Sequence, residues 1–137
     1  MLIVNELAKR ARVSPDTVRH YVQIGLLNPT RNPDNGYKLF SLEDVNRVRF
    51  IRQAKSLGFT LKEIAEILEH SKQGKSPCPR VREIMQARVV ENRRRLNDLY
   101  SLQSRMELAI KQWEKLPDGV PDGDSICHLI ETAGSFE

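Results

Sequence analysis

Along the first half of the chain, apolar residues recur at spacings of three and four, the period of helices with one buried side. Leu7, Ala8 and Ala11 give a first short helix its apolar face, and Val18, Val22 and Ile24 supply the core contacts of a second. Ser14 stands directly before Pro15. A serine hydroxyl accepts an orphan backbone N–H, and proline loses nothing at the first helical position, so the second helix starts at Pro15. Gly25 ends it, as a residue that tolerates a left-handed conformation. A third helix opens on Ser41 with acids in its first turn, turns Leu42, Val45, Val48, Phe50 and Ile51 inward and stops at Gly58. A fourth opens on Thr60 with Glu63 three residues on, and carries Leu61, Ile64, Ile67 and Leu68 up to His70.

Between the second and third helices the pattern changes. Asn35-Gly36, flanked by Thr30-Arg31 and by Tyr37 to Phe40, predicts a two-stranded hairpin with a type I′ turn. In the second half, no Gly or Pro occurs from Arg80 to Lys115. Met85, Val89, Asn92, Leu96, Leu99, Gln103, Met106, Ile110 and Trp113 are separated alternately by four and three residues, a heptad seam. This predicts a long helix pairing with a second copy, and Asn92 and Gln103 are polar positions able to fix its register.

The fold class expected is all-α with a small β wing. One small domain is expected over residues 1–70, a linker over 71–79, a dimerisation helix over 80–115, and a loop with a short helix over 116–137.

Composition sharpens this outline. A net charge of +4 favours an anionic partner such as nucleic acid. With 39% hydrophobic and only 6% aromatic residues, an elongated or dimeric architecture fits better than one globular core. No run approaches the roughly 18 apolar residues of a membrane span, and no leader-like opening is present, so a cytoplasmic protein is expected. No phosphate-binding glycine loop, nucleophile elbow or His-Glu-His cluster occurs, and catalysis is not expected. Asp118, Asp122 and Asp124 lie in a Pro/Gly loop, where turn formation explains them.

Two helices joined by a tight turn form a helix-turn-helix, whose second helix enters a DNA groove. Ser14, Thr17, Arg19, His20 and Tyr21 of that helix are the candidates for phosphates and base edges. Arg31, Tyr37 and Lys38 of the hairpin are candidate phosphate contacts. Arg47, Arg49, Arg52 and Lys55 are read as mostly outward, with Arg52 and Lys55 the best placed to reach the DNA backbone.

The segments NELAKRARVSPDTVRHY, IGLLNPTRNPDNGYKLFS and EDVNRVRFIRQAKSLGFTLKEIAEIL resemble, in order and spacing over residues 3–70, the DNA-binding domain of the MerR family of bacterial transcription regulators. The chain departs from the family pattern at His20, Val22, Lys38 and Phe40. The resemblance implies a winged helix-turn-helix homodimer joined by an antiparallel coiled coil. It implies a palindromic promoter operator as the DNA partner. The effector-bound dimer would distort that DNA so that RNA polymerase engages both promoter elements, at a deformation cost that protein–phosphate contacts offset.

Cys78 precedes the long helix and Cys127 follows it. About 35 helical residues span roughly 50 Å, so the two thiols of one straight chain do not meet unless the tail folds far back. In the antiparallel dimer that the resemblance implies, Cys78 of one chain approaches Cys127 of the other, giving two equivalent sites. This is similar to the metal-sensing branch of the family, and a cysteine at the Cys78 position there goes with divalent ions. Leu116 and Pro117 stand where that branch usually has a further loop cysteine. His128, Asp122, Asp124 and His70 are candidates to complete the set, His128 being the one assigned with Cys78 and Cys127. The donors suit a Zn-like, Cd-like, Hg-like or Pb-like ion. The alternative is a thiol-based sensor of oxidants or electrophiles using Cys78 and Cys127. The tail after Lys115 is too short for a conventional organic-ligand pocket of several hundred Å³.

Overall fold

The computed structural model describes residues 1–133. Six helices and one small sheet follow in the order α1 (Val4–Ala11), α2 (Pro15–Gln23), β1 (Thr30–Arg31), β2 (Lys38–Leu39), α3 (Leu42–Ser56), α4 (Leu61–Lys72), α5 (Cys78–Trp113) and α6 (His128–Thr132). The chain divides into two compact units, residues 1–81 and residues from 82 onward.

In the first unit, Leu7, Leu27, Phe40, Val18, Val48, Ile51 and Ile64 are fully enclosed and form the core. Local signals set the helices around it. The Ser14 hydroxyl accepts Thr17 N–H at 3.1 Å, and Pro15 opens α2. Ser41 and Asp44 cap α3 reciprocally, as Thr60 and Glu63 cap α4. Each of α1 to α4 ends in the same way. The N–H of the residue beyond the last turn reaches back to a carbonyl five residues earlier: Val13 to Ala8, Leu26 to Tyr21, Phe59 to Ala54 and Lys75 to His70. This motif needs a left-handed residue just before that N–H. Glycine supplies it at Gly25, Gly58 and Gly74, but α1 uses Arg12 at φ 59°. A β-carbon in that region costs roughly 1–2 kcal/mol.

The hairpin forms, but not with the expected turn. Its ladder pairs Thr30 with Leu39 and Arg31 with Lys38. Of Asn35 and Gly36 only the glycine has positive φ, so no type I′ turn is present. A wider loop closes instead, with Gly36 N–H on the Asn32 carbonyl at 2.8 Å. The Asn32 and Asn35 side-chain oxygens accept from Asp34 and Tyr37 N–H, both at 2.9 Å. The sheet also gains a bridge the pattern did not suggest. Leu2 and Phe40 exchange both backbone hydrogen bonds at 2.7 Å, which anchors the base of the wing to the amino terminus.

Two further expectations fail on packing. Leu42, Phe50 and Ile24 are exposed, because α2 and α3 each turn only a narrow stripe to so small a core. Arg47 is half-buried, and its Nε donates to the Leu26 carbonyl at 2.8 Å, tying α3 to the loop after α2. The long helix begins at Cys78 inside the expected linker and ends at Trp113.

The seam on α5 is uncovered in the single chain. Val89, Leu96, Leu99, Met106 and Ile110 are all at least half exposed, and Ile84 and Ala109 are the helix's buried residues. Beyond α5 the tail turns back on the helix end: the Trp113 indole N–H donates to the Leu129 carbonyl at 3.0 Å.

Candidate nucleic-acid interface

Helix α2 and the wing border one cleft of about 360 Å³. Ile3, Val4 and Asn5 from the start of α1 form one side, and Arg19, Arg31, Tyr37 and Lys38 supply its charge and its aromatic ring. Four of the ten DNA candidates thus share one concave surface. Arg19 is held at 2.9 Å by Asp16, an exposed pair of the kind worth under about 1 kcal/mol, so a phosphate or base edge can displace it. Arg31 Nη1 donates to the Gly36 carbonyl at 3.3 Å, which aligns the guanidinium along the wing. Tyr37 is exposed and Lys38 half-buried.

Ser14 and Thr17 sit at the start of α2, their hydroxyls 2.8 Å apart. His20 is exposed on the same helix. Tyr21 is not open as expected: only 3% of it is accessible, because it lies one turn from Val18 on the core-facing stripe. That burial desolvates its phenol and raises its pKa above 10.0. Arg52 and Lys55 are exposed on α3, away from this cleft. Asn5 is a cleft residue not among the DNA candidates expected from the sequence; its place at the start of α1 puts it on the wall.

Both cysteines are free thiols; Cys78 is exposed on the first turn of α5, and Cys127 is half-buried just before α6. His128 follows directly, and its Nε2 lies 2.9 Å from the Pro117 carbonyl oxygen. A carbonyl oxygen only accepts, so in the neutral ring Nε2 carries the proton and Nδ1 keeps a free lone pair. Gly119 passes so close that a β-carbon there would sit 2.6 Å from His128 Cδ2. Glu131 completes the turn: it accepts from the Ser125 hydroxyl at 2.6 Å and from Ile126 N–H at 3.2 Å. These bonds, Ser125 first, hold its carboxyl below the ordinary range. Among the described residues of the single chain, no three His, Cys, Asp or Glu side chains gather into a cation site.

Residues 3–71 match the family of MerR helix-turn-helix regulatory proteins, and residues 45–108 match the family described as MerR, DNA binding. The chain belongs to the MerR family. MerR proteins are DNA-binding transcription regulators, not enzymes. Among relatives, the transcriptional regulator ZntR of Escherichia coli is 34% identical over 113 residues, covering 78% of this chain and 77% of that one. The mercuric resistance operon regulatory protein of Bacillus cereus is 29% identical over 129 residues, covering 94% of both chains. Among solved structures, the regulator PbrR691 of Ralstonia metallidurans, crystallised with lead(II), superposes with a TM-score of 0.76 over 96% of this chain and 98% of that one, at 22% identity. That likeness establishes the MerR fold: a winged helix-turn-helix followed by a long helix.

Proposed function

We propose that this MerR-family protein binds a palindromic promoter operator as a homodimer and activates transcription by RNA polymerase through distortion of the DNA. The effector in this reading is a divalent metal ion. The observation that carries the DNA-binding half is the cleft joining Arg19 of α2 to Arg31, Tyr37 and Lys38 of the wing. A recognition helix flanked by a cationic wing offers base-edge contact and phosphate contact side by side. Ser14, Thr17 and His20 extend that surface along α2, and Arg52 and Lys55 add charge on α3. The uncovered seam of α5 supports a dimer.

Arg19→Ala is expected to weaken operator binding by roughly 1–3 kcal/mol through removal of a base-edge hydrogen bond. Lys38→Ala should weaken binding to all sequences alike and lower the salt slope by about 0.9 for each phosphate no longer neutralised. Fluorescence anisotropy across a salt series checks both. Unchanged affinity in both folded variants would sink the assignment.

For the effector, we assign Cys78 of one protomer with Cys127 and His128 of the other. The relatives named for mercuric resistance and crystallised with lead(II) support a soft divalent ion. So does the local chemistry: a half-buried thiol is followed by an imidazole whose Nε2–H is already committed to Pro117, leaving Nδ1 to donate. A straight α5 of 36 residues is about 54 Å long, which favours sharing between protomers.

Mixed dimers test this. A Cys78→Ser chain is combined with a Cys127→Ser chain, and zinc, cadmium, lead and mercury are titrated anaerobically with detection by native mass spectrometry. The mixed dimer holds one site with both thiols, so it should bind one ion tightly while both homodimers are impaired. A single inter-chain disulfide on oxidation, with no tight metal binding, would favour the thiol-sensor reading, for which the exposed free Cys78 is the specific support. Wild-type behaviour of both Cys→Ser proteins would make the cysteines structural.

A further inference from the structure

A second cationic cleft lies at the far end of α1. It encloses about 540 Å³ and is lined by Ala11 and Arg12 from α1 and the turn, and by Arg49, Arg52, Gln53 and Ser56 from α3. None of these lining residues is an acid. Arg49 Nη2 donates to the Arg10 carbonyl at 3.0 Å, which pins α3 to the end of α1 and fixes one wall. Among the described residues, neither Arg12 nor Arg52 has an acidic partner. Three guanidiniums thus face one space that the rest of the unit leaves without a counter-charge.

The backbone gives an independent pointer. Four helices end in the same left-handed motif; three place glycine there, and α1 places Arg12. Residues held in such strained conformations cluster at functional and ligand-binding sites. Arg12 also stands two residues before Ser14, the cap of α2. In a helix-turn-helix the start of the second helix is the end that meets DNA.

The geometry points to a second DNA phosphate-binding site, formed by Arg12 and Arg52 with Arg49 positioning the cleft. It rests on the reading of the chain as a DNA-binding dimer and adds Arg12 to that interface. The first cleft takes in the start of α1 and this one its end. Eight helical residues span about 12 Å, which is about the width of the major groove. In this proposal the wing cleft takes one phosphate backbone bordering the groove and the Arg12 cleft the other.

Arg12→Gly separates this use from the fold, because glycine relieves the left-handed strain. The variant should melt at a higher temperature than wild type and yet bind a fluorescein-labelled duplex of random sequence about tenfold more weakly. Its salt slope should fall by about 1.8 for the dimer, that is 0.9 per phosphate contact. Arg12→Lys should recover part of the affinity. Arg52→Ala should give the same loss without the gain in melting temperature.

Wild-type protein that fails to bind any duplex would overturn the DNA reading itself. Wild-type binding that Arg12→Gly leaves unchanged, in affinity and in salt slope, would overturn only the second site. So would unchanged DNA affinity with reduced transcription in a purified polymerase assay, which would mark the cleft as a contact for an acidic protein surface. A melting-temperature response to inorganic phosphate that needs Arg12, with DNA affinity intact, would mark it as a free-phosphate site and overturn the proposal equally.

Discussion

A chain carrying Leu96→Asp and Leu99→Asp is expected to be monomeric or unfolded at concentrations where the wild type sediments as a dimer. Both leucines sit near the middle of the α5 seam and are 51% and 60% exposed in the single chain. Closing the seam buries about the remaining half of each leucine, roughly half of the 1.5–3 kcal/mol of full burial, and a two-fold dimer loses four such contributions. Each aspartate left at a closed seam adds a desolvation penalty of several kcal/mol that nothing compensates. A nanomolar dimer has about 12 kcal/mol to lose, so the summed deficit removes it. Val90→Asp is the control. Val90 is 72% exposed and lies one residue off the seam, so its replacement should leave the dimer intact. Sedimentation velocity reads all three; a wild type that sediments as a monomer at micromolar concentration ends the idea.

The second large effect is expected at Phe40. Its ring is fully enclosed, and its backbone holds Leu2 through two hydrogen bonds of 2.7 Å. Phe40→Ala should cost about 3–5 kcal/mol, a large share of the roughly 5–15 kcal/mol that stabilises a small domain. The wing should loosen before the helices do, since the two-residue strands have little else to hold them. Urea unfolding followed by circular dichroism should show the loss, and hydrogen exchange should show it first at Thr30 and Leu39, the hydrogen-bonded pair of the ladder. Phe40→Leu, which keeps part of the volume, should recover much of the stability. An Ala variant as stable as wild type would mean that the ring does not anchor the wing.

The residues legible in the sequence act through their immediate neighbours. Ser14-Pro15, Ser41 with Asp44, Thr60 with Glu63, and Gly25 and Gly58 all start or stop helices through bonds a few residues long, and the structure places each where its chemistry requires. The heptad spacing marks α5 for the same reason. Tyr21 departs from expectation because its hydroxyl suggests DNA, while its place one turn after Val18 puts it on the buried stripe; period outweighs side-chain chemistry there. Asn35-Gly36 is a strong signal for a two-residue turn, but the flanking strands pair too far out, and a six-residue loop has other ways to close. What no local pattern could show is contact across distance. Leu2 with Phe40, Arg47 with Leu26, Trp113 with Leu129 and the His128 ring on Pro117 each join residues that only the folded chain brings together. The Arg12 cleft belongs to the same class, since α1 and α3 build it jointly.

The Leu2–Phe40 bridge also governs how the protein can be handled at the bench. With Leu2 in the sheet and Ile3, Val4 and Asn5 on the cleft wall, anything fused ahead of Met1 leaves the domain at the mouth of that cleft. An affinity handle or a surface tether at the amino terminus would crowd the duplex in every binding experiment. Protein from which such a handle has been cleaved should bind DNA more tightly than the protein that still carries it.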